Sequence, residues 1–192
     1  LGSLENIARE KSELIRALPA DGVAILNADD PRVRPMAALT GARVITFGLG
    51  ADADVQVQEI QPGFDGTRME LCVAGRQHVL TCRLLGRHSA YTMAAAVAAG
   101  LAYDIDPRDA IEALAGLEPL PGRLNPLSGI GGSHVLDDTY NAAPASVLAA
   151  LDTLAELPAQ RRIAVLGHMA ELGAFEEEGH RQVAQRAAEV AD

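Results

Sequence analysis

Gly22-Val23-Ala24-Ile25-Leu26-Asn27-Ala28-Asp29-Asp30-Pro31 is a short apolar run that ends in a polar turn closed by proline. Its continuous apolar character, without polar alternation, is that of a strand covered on both faces. Asn27 to Pro31 then turns the chain into a second helix, and Ala42 to Gly48 reads as another buried strand. Upstream, Ser3 is placed to cap a helix running to about Leu18, with Leu4, Ile7, Ala8, Leu14, Ile15 and Leu18 on one stripe. Helix and strand therefore alternate, which argues for a parallel, two-sided sheet in an α/β protein.

Working outward, the rhythm changes between Asp54 and Leu85. Three runs (54–61, 67–74 and 77–85) alternate polar and apolar residues, with turns expected at Pro62-Gly63 and Gly75-Arg76. That is an antiparallel patch. Helices are expected from His88 to Tyr103 and from Pro107 to Leu117. Glu118-Pro119-Leu120-Pro121-Gly122-Arg123 cannot be helical and reads as an interdomain linker. Beyond it lie a hairpin around Gly129 to Gly132, a strand Ser133 to Asp137, a helix Pro144 to Leu157, a strand Arg161 to Gly167 and a helix Glu176 to Val190. Such a run needs further strands to complete its sheet, so the chain is expected to be a piece cut off at its C-terminal end.

With 192 residues, 48% of them hydrophobic, the chain has material for one large core or two smaller ones. Aromatic residues make up only 3%, so Leu, Val, Ile and Ala must fill it. The net charge of -10 opposes a phosphate backbone, which argues against a nucleic-acid partner. No apolar run reaches the roughly 20 residues that span a bilayer. Leu1-Gly2-Ser3 has no signal pattern, so a cytoplasmic location is expected. Cys72 and Cys82 fall on neighbouring strands out of register, as two buried thiols.

Lys11 is the only lysine; all other cationic side chains are Arg. It interrupts the first helix's apolar stripe, which leaves two readings open. Its stem packs while the ammonium reaches water, or it is desolvated and the neutral amine becomes available for chemistry. Since a phosphate-cradling loop needs Gly-x-x-x-x-Gly-Lys-Ser/Thr, and Lys11 lacks both glycines, the chain carries no P-loop. Asp137-Asp138-Thr139-Tyr140-Asn141-Ala142-Ala143-Pro144 sits where a strand gives way to a helix, a place where carboxylates meet ribose hydroxyls or a metal. It reads equally as an acidic loop favoured by a helix dipole. Val165-Leu166-Gly167-His168-Met169-Ala170-Glu171-Leu172-Gly173 is a second strand-to-turn segment. His168, Glu171 and His180 match no standard metal spacing, and surface or capping roles suit them better. Arg123 is a clamp for phosphate or carboxylate, or a solvated linker residue.

Taken in order, these segments resemble the Mur ligase family. They are Gly2 to Lys11, Asn27-Ala28-Asp29-Asp30-Pro31, Gly86-Arg87-His88, Pro121-Gly122-Arg123-Leu124, Asp137 to Ala142 and Val165 to Gly173. The Asp-Asp-Thr-Tyr-Asn segment is similar to the MurF branch, which adds D-alanyl-D-alanine. The resemblance implies residues 1–124 as part of a central ATP-binding domain, with a mixed sheet containing an antiparallel patch. Residues 125–192 would begin a C-terminal Rossmann-like domain. It also implies an ATP- and Mg²⁺-dependent ligase of peptidoglycan synthesis, acting as a monomer. Its substrates would be UDP-N-acetylmuramoyl-tripeptide and D-alanyl-D-alanine, joined through an acyl phosphate. Lys11 matches the lysine that these enzymes carbamylate to support a metal ion. Arg123 and Asp138 match nucleotide contacts, Asn141 lies beside them, and His88, Ser89 and Thr92 fall in the adenine-contacting segment.

Ser89 and Thr92 stand where the family usually has Asn, keeping hydroxyls but losing the amide fork. Ala143 and Ala145 replace common Asn and Asp, and Ala143 forfeits a helix cap worth about 1 kcal/mol. His168 replaces a common Asp. Two rival readings stay open: a non-catalytic homologue that binds a UDP-peptide or a protein, and a related ligase acting on another peptide.

Overall fold

The computed structural model describes residues Ser3 to Asp192. By internal contacts the chain falls into two compact units. The first runs to Ile60 and takes in Met69–Leu80 and Ala90–Ala115; the second comprises Gln61–Arg68, Thr81–Ser89 and Gly116–Asp192. No helix among the described residues is long and apolar enough to cross a membrane.

In the first unit, helix α1 (Leu4–Arg16) opens as expected, with the Ser3 hydroxyl accepting from the Asn6 N–H at 3.1 Å. The face it buries is one side of the expected stripe. Ala8, Ile15 and Leu18 pack against Ala24, Leu26 and Met36, and Ser12 between them is buried. Ser12 is tolerated there because its hydroxyl donates to the Arg9 carbonyl at 2.7 Å. Leu4 and Leu14 are exposed.

Strands β1 (Val23–Asn27) and β2 (Arg43–Gly48) pair in parallel, from Val23 opposite Arg43 to Asn27 opposite Phe47. The expected second helix is only a 3-10 segment, Arg34–Leu39, with proline in its first turn. Asp30 caps the turn before it, accepting from the Arg32 and Val33 N–H groups.

Strand β3 (Val55–Gly63) then pairs in parallel with the very end of β2, Phe47 opposite Val55 and Gly48 opposite Gln56. Parallel neighbours usually need a long crossover. Here β3 starts where β2 stops, so a short loop suffices. With β4 (Gly66–Val73) and β5 (Arg76–Cys82) the sheet order is β1-β2-β3-β4-β5. The links within β3-β4-β5 are Phe64-Asp65 and Ala74-Gly75, each shifted one or two residues from the expected turns. Links of two residues permit only antiparallel pairing, so the sheet is mixed. Ala74 and Gly75 have φ of 50° and 73°, the backbone of a tight hairpin turn.

Helix α2 (Arg87–Ala102) buries Ala90, Met93, Ala94, Val97 and Ala98, a stripe at helical spacing. Helix α3 (Pro107–Ala115) packs where Gly100 of α2 leaves room, a Cβ there meeting Ala110 at 3.3 Å. Cys82 is buried and Cys72 only partly so; both are free thiols.

In the second unit, β6 (Asn125–Ser128) and β7 (His134–Asp137) form an antiparallel hairpin. Helices α4 (Pro144–Glu156) and α5 (Glu176–Val190) follow, α5 with the bounds read from the sequence. The Ala143 N–H, lacking a cap of its own, donates to the Ser146 hydroxyl at 3.1 Å.

The expected strand 161–167 does not form. An extended apolar run becomes a strand only when another strand bonds to it, and none does among the described residues. Val165 is 94% exposed. The segment is held at its ends instead. The Arg162 guanidinium donates to the Leu154 and Leu157 carbonyls at the end of α4, and its backbone pairs with Asp192. Met169 then anchors it in a core with Leu151 and Val183.

Candidate functional site

The site of interest in the second unit lies where β7 ends. The backbone from Asp137 to Tyr140 folds against the linker residues Leu120–Leu124, and each contact has a sequence cause. Asp137 follows the short-side-chain logic of a turn: its Oδ1 accepts from the Thr139 hydroxyl at 2.7 Å and the Thr139 N–H at 3.2 Å. Its other oxygen accepts from the Gly122 N–H at 3.2 Å. The Tyr140 N–H donates to the Gly122 carbonyl at 3.1 Å, and the Leu124 N–H donates to Asp138 Oδ1 at 2.9 Å.

Gly122 is required by this stitching. Its φ is 70°, and a Cβ on it would sit 3.0 Å from the Tyr140 nitrogen. Between the tied residues Gly122 and Leu124, Arg123 lays its guanidinium on the Tyr140 ring, with Cζ 4.1 Å from the centroid. Arg123 and Tyr140 are both exposed.

Hydrogen bonding by the Thr139 side chain, helped by the Thr139 and Gly122 N–H groups, holds the Asp137 carboxyl below its ordinary range, with burial opposing. His88, exposed on the first turn of α2, is pushed below the ordinary histidine value by the partial burial of its ring; the Asp138 charge pulls the other way. Asp138 Oδ2 has no hydrogen-bond partner among the described residues. The structure therefore brings Arg123, Asp138 and His88 into one neighbourhood.

The remaining expected residues are placed differently. Ser89 is buried at 4% exposure, and its hydroxyl is spent on the Gly86 carbonyl at 2.7 Å. Thr92 is exposed one turn further along α2. Asn141 is exposed and accepts from the Ala142 N–H at 2.9 Å. Lys11 is on the exposed side of α1. Of its two readings, the desolvated one finds no burial here, because the helix buries the Ala8, Ser12 and Ile15 side and leaves Lys11 exposed.

His180 uses both ring nitrogens. Nε2 accepts from the Met169 N–H at 3.1 Å, which leaves Nδ1 protonated and donating to the Glu176 carbonyl at 2.8 Å. His168 stacks on it with centroids 5.0 Å apart.

Two residues escaped the reading of the sequence as a site. Tyr140 carries no role in its motif when read from sequence alone, although an aromatic near a linker arginine is the available signal. In the first unit, Asp29 accepts from the Leu49 and Gly50 N–H groups at 2.6 and 3.1 Å and from the Tyr91 hydroxyl at 2.9 Å. Tyr91 is 62 positions away in sequence, so no local pattern announces it.

Comparison with known proteins agrees with this architecture. The Mur ligase middle domain matches residues 1–100, and the Mur ligase glutamate ligase domain matches residues 122–192. A UDP-N-acetylmuramoyl-tripeptide–D-alanyl-D-alanine ligase of Bacillus subtilis is 34% identical, over 95% of this chain and 39% of its own. The crystal structure of MurF from Acinetobacter baumannii superposes with a TM-score of 0.88 at 28% identity, covering 98% of this chain and 41% of that one. MurF from Thermotoga maritima, in complex with ADP, gives 0.83 at 25% identity, covering 97% and 42%. The chain thus spans about two-fifths of the length of the relatives it matches. With family domains matching both its first 100 residues and residues 122–192, this chain belongs to the Mur ligase family.

Proposed function

We propose that this chain is the nucleotide-side portion of a MurF-type ligase, which joins D-alanyl-D-alanine to UDP-N-acetylmuramoyl-tripeptide at the expense of ATP. The observation that carries the reading is the stitched junction of linker and β7, with an exposed guanidinium beside a half-open carboxylate. Guanidinium suits phosphate oxygens through charge and paired N–H donors. A carboxylate oxygen with no partner suits a ribose hydroxyl. These residues fit a nucleotide. When bound, ATP supplies the phosphoryl group that turns the tripeptide carboxylate into an acyl phosphate open to attack by an amine.

In this assignment Arg123 holds phosphate and Asp138 orients the sugar. His88, whose imidazole is pushed below its ordinary pKa by partial burial, meets the base as a hydrogen-bonding partner, with Asn141 at the margin. Mg²⁺ does not fit in the same way. No group of three His, Cys, Asp or Glu among the described residues is placed to hold a metal. Lys11, exposed on α1, keeps the role of carbamate-bearing lysine as part of this proposal, with ion ligands supplied from outside these residues.

The inward-turned Ser89 hydroxyl favours a second reading, a module that binds a UDP-peptide or a protein without turnover. One experiment separates the two. The full-length gene product, given ATP, UDP-N-acetylmuramoyl-tripeptide and D-alanyl-D-alanine, should release phosphate only when all three are present. Absence of release would sink the ligase, and equal release with free L-amino acids would sink its D-alanyl-D-alanine specificity. The 192-residue chain alone, which lacks a P-loop, should release none.

A further inference from the structure

We propose that Asp137 and Tyr140 are positioning residues for Arg123, the first fixing the backbone before it and the second fixing the direction of its guanidinium. The importance of that direction rests on the reading of Arg123 as a nucleotide contact; the fixing itself does not.

The backbone half of the argument is a closed set of hydrogen bonds. The residue before Arg123 is tied twice, its N–H to Asp137 Oδ2 at 3.2 Å and its carbonyl to the Tyr140 N–H at 3.1 Å. The residue after it is tied by its N–H to Asp138 Oδ1 at 2.9 Å. Asp137 is itself kept in one rotamer by the Thr139 hydroxyl and N–H. Leu124 is held at φ 47°, a left-handed backbone that a leucine adopts only where its surroundings impose it. Burial of its side chain, 6% exposed, supplies that constraint. The chain is therefore forced through an unfavourable conformation on one side of Arg123 and a glycine-only approach on the other. A solvated linker arginine needs neither.

The side-chain half concerns Tyr140. At 71% exposure its ring fills no core, and the Arg123 guanidinium lies against its face, with Cζ at 4.1 Å. An exposed arginine otherwise samples many rotamers, and that freedom is lost when it grips an anion. Parking the guanidinium on the ring removes part of the loss in advance.

The test uses the 192-residue chain and nuclear magnetic resonance of the Arg123 Nε–H group. In the wild type and in Tyr140→Phe, which keeps the ring, Nε–H should be ordered. In Tyr140→Leu and Asp137→Ala it should be mobile, with faster amide exchange at Gly122 in the Asp137 variant, while the amide shifts of α4 and α5 remain those of the wild type. If Asp137→Ala does not fold, Asp137→Asn, which keeps an acceptor but drops the charge, replaces it and should speed Gly122 exchange. Wild-type order of Arg123 in either Tyr140→Leu or the Asp137 variant overturns the inference.

ATP titration adds the functional arm. Tyr140→Leu should weaken binding about threefold, the scale of an exposed cation–π contact, and Tyr140→Phe should not. If Arg123→Ala weakens ATP binding while Tyr140→Leu leaves it at the wild-type value, positioning is refuted. If Arg123→Ala has no effect on ATP but the ordering results hold, the nucleotide reading fails and the positioning stands.

Discussion

Gly86→Ala tests how the start of α2 is built, because two independent penalties meet at one position. The first is conformational. Gly86 has φ 85°, where an L-residue costs about 1–2 kcal/mol. The second is steric. A Cβ there would lie 2.4 Å from Thr153 Oγ1 and 2.7 Å from His88 Cε1. The His88 ring is the far end of a flexible side chain and swings aside, at the expense of its place beside Asp138. Thr153 is 2% exposed, and its hydroxyl donates to the Ala149 carbonyl at 2.9 Å, so moving it loses a hydrogen bond worth about 1 kcal/mol. The two together predict a loss of about 2–3 kcal/mol. Native-state hydrogen exchange of the α4 amides measures it within the second unit.

The double variant Gly86→Ala/Thr153→Ala separates the causes. Removing the threonine relieves the clash but leaves the backbone strained, so the pair should be about 1 kcal/mol less destabilising than the sum of the singles. A Gly86→Ala loss below about 1 kcal/mol would refute the reasoning, since left-handed strain alone reaches that value. Strict additivity would show that Thr153 is not the obstacle.

Two predictions concern charge. Asp138→Asn removes the anion that opposes burial at His88, so the His88 imidazole should titrate at lower pH than in the wild type; an unchanged or raised titration by nuclear magnetic resonance contradicts this. At Asp29, burial raises the carboxyl pKa. The Leu49 N–H, the Tyr91 hydroxyl, the Gly50 N–H and the Arg34 charge outweigh it, and the net shift is below the ordinary 3.8. Stability from Asp29 is therefore present above that value and lost as pH falls through the lower, folded one. Asp29→Asn should flatten the acid limb of the stability curve below about pH 4, and superimposable limbs would disprove the assignment.

The elements differ in how far local sequence announced them. α5 was legible to the residue because three glutamates open it and apolar residues recur at helical spacing. The Ser3 cap and the Pro144 start were legible for the same reason: a cap or an N1 proline acts through bonds within one turn. The shift of the hairpin turns is also local. Ala74 takes the left-handed backbone that the sequence suggested only for its glycine neighbour.

Where the reading failed, the deciding partner lay far along the chain. Val165 and its neighbours have strand-like residues, but a strand needs another strand's N–H and C=O groups, and these are not coded in the run itself. Lys11 interrupts the stripe of Leu4, Ile7, Ala8, Leu14, Ile15 and Leu18. The packing partners Ala24, Leu26 and Met36 select only its Ala8, Ile15 and Leu18 side, next to the buried Ser12, and leave Lys11 outside. Sequence order and motif chemistry determined by themselves the family, the parallel pairing class of β1 and β2, the antiparallel patch and the segments that carry candidate chemistry. Only the tertiary structure decided that Ser89 turns inward, that Lys11 faces out, and that Arg123 rests on Tyr140 between two tethered residues. Motifs record which groups are present, whereas burial and direction depend on surfaces that meet only when distant segments pack.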